Sequence, residues 1–121
     1  SAGELLDKIS ILEIKSYKIK NKNKQEEIKK EYNLLKEVQK LNMEYTKDIQ
    51  QLFNEIKMVN LTLWDIEDKI RIHEKNKDFG KQFIELARSV YINNDKRAEI
   101  KSKINKLLGS NIREIKEYAD Y

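Results

Sequence analysis

The chain has 121 residues, 39% apolar and 38% charged, with 25 basic residues against 21 acidic ones and a formal net charge of +4. This length implies one domain with one core, and the near balance of charge argues against a disordered polyelectrolyte. Zero cysteines exclude disulfides, thiolate metal sites and cysteine nucleophiles, and no apolar run is long enough to span a membrane.

The same composition favours long helices. Charge well above the usual quarter, no proline and only three glycines describe helices with solvated outer faces. A cysteine-free chain without a signal-peptide core fits the reducing cytoplasm. It opens on Ser-Ala-Gly with no methionine, so a trimmed N-terminus is expected.

The first element, 4–21, reads two ways. Ile9, Ile11, Ile14, Tyr17 and Ile19 step by two and three, partly like a strand, while Leu5, Ile9, Leu12 and Ile19 fit a helical stripe. A lone strand would have no pairing partner, so a helix buried on more than one side is expected. NKNK (21–24) reads as a polar connector. Over 25–41, Ile28, Tyr32, Leu35, Val38 and Leu41 share one face of an amphipathic helix. LNMEYT (41–46) reads as a break, with Thr46 as the next N-cap.

The segment 46–76 carries the clearest pattern. Ile49, Leu52, Ile56, Val59, Leu63, Ile66, Ile70 and His73 alternate three- and four-residue steps, a heptad seam. Met58, Leu61, Trp64 and Ile72 form a second stripe, which implies neighbours on two sides. KNKD (75–78) ends the helix.

The last helix, 79–108, contains VYINNDKRAEIK (90–101), whose middle is polar. Phe79, Phe83, Leu86, Val90, Asn93, Arg97, Ile100, Ile104 and Leu107 keep the heptad frame through it without a phase slip. That favours one continuous helix closed by Gly109, although drift of the wider apolar face leaves a bend near Asn93–Asp95 open. Residues 109–121 read as an irregular tail. Folding 79–108 back about residues 76–77 puts Arg97 near Ile56 and Glu55, Asn93 near Val59 and Asn60, and Arg88 near Asp65. Buried polar groups there would fix helix register. The fold expected is all-α, an antiparallel helical bundle on a long coiled-coil-like hairpin with 4–21 and 25–41 packed against it. So thin a hairpin leaves surface for a homodimer.

The charge constellation between 63–71 and 83–101 is the candidate ligand site: Asp65, Glu67, Asp68, Arg71, Glu85, Arg88, Asn94, Asp95, Arg97 and Lys101. Arginine forks there could hold an anionic or zwitterionic small molecule. The plainer reading is a solvated helix surface with local pairs such as Glu67–Arg71. Lysines outnumber arginines 21 to 4, a coding bias that discounts the basic run Lys15–Lys24 as a nucleic-acid motif and makes the arginines, Arg113 included, more informative. His73 is the only histidine and lacks the Glu-x-x-His partner of di-iron bundles. It reads as a packing or helix-end residue, and no metal or cofactor is expected. Neither a nucleophile motif nor a phosphate-cradling glycine loop is present. Trp64 reads as a core anchor, with ligand stacking as the alternative.

Four stretches, GELLDKISILEIK (3–15), LWDIEDKIR (63–71), FIELARSVYINNDKRAEIKSKIN (83–105) and LGSNIREIKEY (108–118), together resemble a small uncharacterised bacterial domain family. The resemblance implies an all-helical cytoplasmic protein and a setting among surface-polysaccharide genes. It places Trp64, Glu67, Asp68, Arg71, Arg88, Asn94, Asp95, Arg97 and Lys101 at the family's motif positions and supplies no catalytic residue. The function expected is a binding or scaffold module for cell-surface polysaccharide assembly, with an unidentified protein or a small anion as partner. The alternatives are a helical-bundle enzyme holding an anionic substrate through its Arg/Lys cluster and, more weakly, nucleic-acid binding through Lys15–Lys24.

Overall fold

The structure, a computed structural model, describes residues 1–109. Four helices follow one another, α1 (Ala2–Lys18), α2 (Lys22–Asn42), α3 (Lys47–Lys75) and α4 (Lys81–Leu108), and they pack as an all-α bundle. The tail expected over 109–121 lies, from residue 110 on, outside the described residues.

Helix boundaries follow side-chain capping. Ser1 Oγ accepts from the Glu4 amide, so α1 starts two residues earlier than the apolar pattern suggests. Asn21 Oδ1 accepts from the Lys24 amide, which turns most of the expected NKNK connector into the first turn of α2. Thr46 caps α3 as its sequence position indicates, through the Ile49 amide.

The α3–α4 connection sets the register of the hairpin. The Asp78 amide donates to the His73 carbonyl and the Lys77 amide to the Glu74 carbonyl, with Lys77 at φ 51°. This is a Schellman closure carrying lysine where glycine is usual. His73 Nδ1 lies 3.0 Å from the Asp78 carbonyl, and its ring approaches Phe83, which in turn meets Phe79 edge-on. The hairpin therefore turns about residue 78, not 76–77. That displaces the facing positions by roughly one helical turn, and Arg97 meets Asn60 instead of Ile56 and Glu55.

Helix α4 runs unbroken through Asn93–Asp95. Its polar side chains are occupied within the helix: Asn93 Nδ2 donates to the Ser89 carbonyl, and Asn94 Oδ1 accepts from Arg97. The Asn93 bond returns to a carbonyl one turn back on its own helix, and the helical run is not interrupted there. Gly109, at φ 65°, closes the helix.

The core is built around α1, which contacts all three other helices. Leu6, Ile9 and Ile14 are fully buried, with Ile49, Ile56 and Ile104 from α3 and α4. On the α4 side, Gly3 and Asn105 are paired, then Asp7 with Lys101, then Ile11 beside Arg97, an antiparallel march. Helix α2 lies along α1 instead of on the hairpin itself, and adds Tyr32, Leu35 and Met43 at the core's edge. Glu13 ties these layers together. It accepts from the Tyr32 hydroxyl at 3.0 Å and from Lys57 Nζ at 2.8 Å, joining α2 and α3 to α1. Burial, then the Glu13 charge, pushes the Tyr32 phenol up.

Burial along the hairpin is uneven. At 17 residues α1 covers about 25 Å, against about 43 Å for the 29-residue α3. Ile100 and Ile104 are buried, Phe83, Leu86 and Val90 only half-buried, and Phe79 exposed. The second α3 stripe divides: Leu61 and Trp64 are half-buried while Met58 and Ile72 face solvent. Phe53 and Asn60 supply the second buried side in their place.

Helices α1 and α4 approach closely at Gly3. A Cβ there would lie 2.8 Å from the Lys101 carbonyl oxygen and 2.9 Å from Asn105 Oδ1. Gly3→Ala is expected to destabilise the fold by about 1–3 kcal/mol, as overpacking does, measured as a lowered urea midpoint.

Candidate functional site

A polar network occupies the junction of α1, α3 and α4. Asn60 is 5% exposed, yet every hydrogen-bonding direction it uses leads to a neighbouring helix. Its Nδ2 donates to Asp7 Oδ1 and Ser10 Oγ, each at 2.8 Å, and its Oδ1 accepts from Arg97 Nη1 at 3.1 Å. Ser10 also donates to the Asp7 carbonyl, and Arg97 Nη2 donates to Asn94 Oδ1 at 2.7 Å. Lys101 Nζ lies 2.8 Å from Glu4 Oε1 and 3.6 Å from Asp7 Oδ2. The Asp7 carboxylate is thus buried with a cation and an amide donor beside it, which is the condition for keeping a buried charge.

Beside this network opens a cleft of about 280 Å³ between α1, α3 and α4. Ile11, Ile14 and Leu63 give it apolar walls, with Trp64 alongside. Glu67, Asp68 and Arg71 rise from α3, and Asn60 and Arg97 close the end towards the core. The helical spacing accounts for the grouping. Asn60, Leu63, Trp64, Glu67, Asp68 and Arg71 step by three and one along one side of α3. Arg97 makes its described contacts to the neutral amide oxygens of Asn60 and Asn94, and among the described residues neither Arg97 nor Arg71 has a carboxylate within ion-pair distance. Two guanidinium charges therefore line one cleft without a direct counter-ion.

The ten residues singled out in the sequence separate into groups. Glu67, Asp68, Arg71 and Arg97 meet at the cleft, with Asn94 holding Arg97. Asp65 points to the end of α1, 3.8 Å from Lys18, and not to Arg88. Lys101 belongs to the Glu4–Asp7 cluster. Glu85, Arg88 and Asp95 are exposed along α4 away from the cleft. Within the basic run 15–24, Lys18 pairs with Asp65, while Lys20, Lys22 and Lys24 are exposed around the α1–α2 connection. Arg113 lies outside the described residues. Among the described residues, no group of three or more His, Asp or Glu side chains is placed to hold a metal ion, and no helix is long and apolar enough to cross a membrane.

Sequence reasoning passed over Asp7, Ser10, Ile11, Ile14 and the central role of Asn60. A signal for the first of these was present. Gly3, Asp7 and Ser10 are spaced four and three apart, a stripe of small and polar residues on a helix otherwise rich in isoleucine and leucine. Such a stripe marks a close approach of helices with polar cross-links.

Over the described residues, fold and site together define a four-helix bundle with an arginine-bearing cleft at a polar three-helix junction. The chain belongs to the family of unknown function DUF6165, which it matches over residues 1–120. No curated protein and no solved structure matches it.

Removing Asn60 would take one hydrogen bond from each of three polar groups at once. Asn60→Leu is expected to cost about 2–4 kcal/mol in urea unfolding, from the bonds lost to Asp7, Ser10 and Arg97. Arg88→Ala, at an exposed position, is expected to stay within about 0.5 kcal/mol. The hydrogen-bonded Lys101 ammonium holds the Glu4 carboxyl below its ordinary value. A lowered carboxyl pKa contributes stability above the unfolded value, about 4.3, and that contribution is lost as pH falls through the folded one. Glu4→Gln is therefore expected to lower stability slightly at neutral pH and to flatten the acid limb of a stability–pH profile, with parent and variant converging at low pH and the effect held small by solvent screening of an exposed pair.

Proposed function

We propose that the protein is a helical binding module of cell-surface polysaccharide assembly, and that its ligand is a small acidic sugar held in the α1–α3–α4 cleft. The observation that carries this reading is the pair Arg97 and Arg71 in one cleft with Trp64. Arg97 is oriented by two neutral amide oxygens, so its position is fixed while its charge stays available. An indole offers a sugar ring a flat apolar surface, and Glu67 and Asp68 offer acceptors for hydroxyl groups. A carboxylate on the same ring would satisfy a guanidinium. A bare inorganic anion would leave Glu67 and Asp68 facing it as like charges.

The polysaccharide setting is supported by the four segments that resemble a domain family found among such genes. Binding is the reading because the residues that hold Arg97, Asn60 and Asn94, are neutral amides that position its guanidinium.

Trp64 is the only tryptophan, so its fluorescence reports directly on the cleft. Titration with glucuronate is expected to give a saturable change, with glucose and inorganic phosphate giving weaker ones. Arg71→Ala, at an exposed position, is expected to weaken glucuronate binding about tenfold or more with an unchanged melting temperature. A folded protein that shows no saturable response to glucuronate, or one indifferent to Arg71→Ala, would defeat the proposal.

A further inference from the structure

Helix α4 carries a second stripe that the bundle does not use. Ile84, Arg88, Tyr91, Asp95 and Ala98 follow one another at four- and three-residue steps, and all are exposed. At about 100° per residue this stripe is centred about 130° around the helix from the seam of Phe83, Leu86, Val90 and Arg97 that faces the rest of the bundle. Ile92 flanks it. Ile84 is 55%, Tyr91 56% and Ile92 42% exposed, so three large apolar side chains stand in solvent on one side of one helix.

Two features of the stripe identify its occupant. First, Arg88 and Asp95 have no ion pair or hydrogen bond among the described residues, although both are charged and stand beside exposed apolar groups. Second, they lie on opposite sides of the apolar centre at Tyr91–Ile92, each within one turn of it. A patch with a cation on one side and an anion on the other is complementary to its own inverted copy. That is the requirement for an isologous contact, in which the same surface serves both subunits.

We infer that α4 pairs with α4 of a second copy of this chain, antiparallel, about a two-fold axis between Tyr91 and Ile92. In this arrangement Arg88 meets the partner's Asp95, and Asp95 meets the partner's Arg88. Tyr91 packs on the partner's Ile92, and Ile84 falls at the level of the partner's Ala98 and Glu99. A parallel pairing is disfavoured, because it sets Arg88 against the partner's Arg88 and Asp95 against the partner's Asp95. The helix face is narrow, so the dimer is weak and reversible. The contact lies on the side of α4 away from the cleft, and the inference does not depend on what the cleft binds.

Sedimentation velocity of the whole chain, from low micromolar to near millimolar concentration, tests this. The parent is expected to pass from monomer to dimer. Arg88→Asp and Asp95→Arg are each expected to weaken dimerisation about tenfold or more, because each sets like charges together twice. The double variant R88D/D95R is expected to recover the parent's association, and an equimolar mixture of the two single variants to form a heterodimer. All these positions are exposed, so helicity and melting temperature should match the parent's, which separates lost pairing from lost folding. A parent that stays monomeric throughout, single variants that associate as well as the parent, or a double variant that fails to recover would each overturn the inference.

Discussion

The close approach of α1 to α4 at Gly3, continued by the Asp7–Asn60–Arg97 cross-link, is the constraint on which the rest of the bundle depends. Among the described helices, α1 is the only one that touches all three others, and it is short. A short helix buried on several sides cannot be held by one apolar stripe, because there is too little length for a long seam. Beside its buried Leu6, Ile9, Leu12 and Ile14, it is located by backbone proximity at one end and by polar bonds of fixed geometry in the middle. Gly3 permits the first, since any side chain there meets the Lys101 carbonyl. Asp7 and Ser10 supply the second through Asn60.

That same cross-link produces the cleft. Asn60 uses its donors on α1 and its acceptor on Arg97, so it draws α1, α3 and α4 together at one level and fixes the guanidinium there. Beyond that level α1 soon ends while α3 and α4 continue, and the walls part around Trp64 and Arg71. The polar network is therefore structural and positioning in one. Its cost in desolvation is offset by mutual satisfaction of Asp7, Ser10, Asn60 and Arg97, which hydrophobic replacements could match in stability but not in placing a charge.

The hairpin shows where sequence periodicity is a sufficient guide and where it is not. The heptad count through Asn93 and Asn94 indicates an uninterrupted helix, and α4 is one helix from Lys81 to Leu108. Periodicity reports which side of a helix faces a neighbour, and that survives a few polar substitutions. It does not report how far one helix is slid along the other. The slide was set by a closure in which Lys77 takes a left-handed conformation, a local geometry with no glycine to announce it. One turn of displacement was enough to replace the expected neighbours Ile56 and Glu55 of Arg97 by Asn60, and to leave Arg88 without Asp65.

By itself the sequence determined that the protein is all-helical, that Thr46 caps α3 and Gly109 closes α4, that α1 is buried on more than one side, and that Glu67, Asp68, Arg71 and Arg97 are charged groups on facing helices. These are properties of spacing and residue type, which act over a few turns. Tertiary structure alone decided that α2 lies on α1, that Asn60 is the hub, that Lys101 serves Glu4 and Asp7, and that Glu85, Arg88 and Asp95 face away from the cleft. Each of those depends on the rotation and slide of one whole helix against another. The summed packing of the bundle sets them, and no local stretch of residues carries that sum.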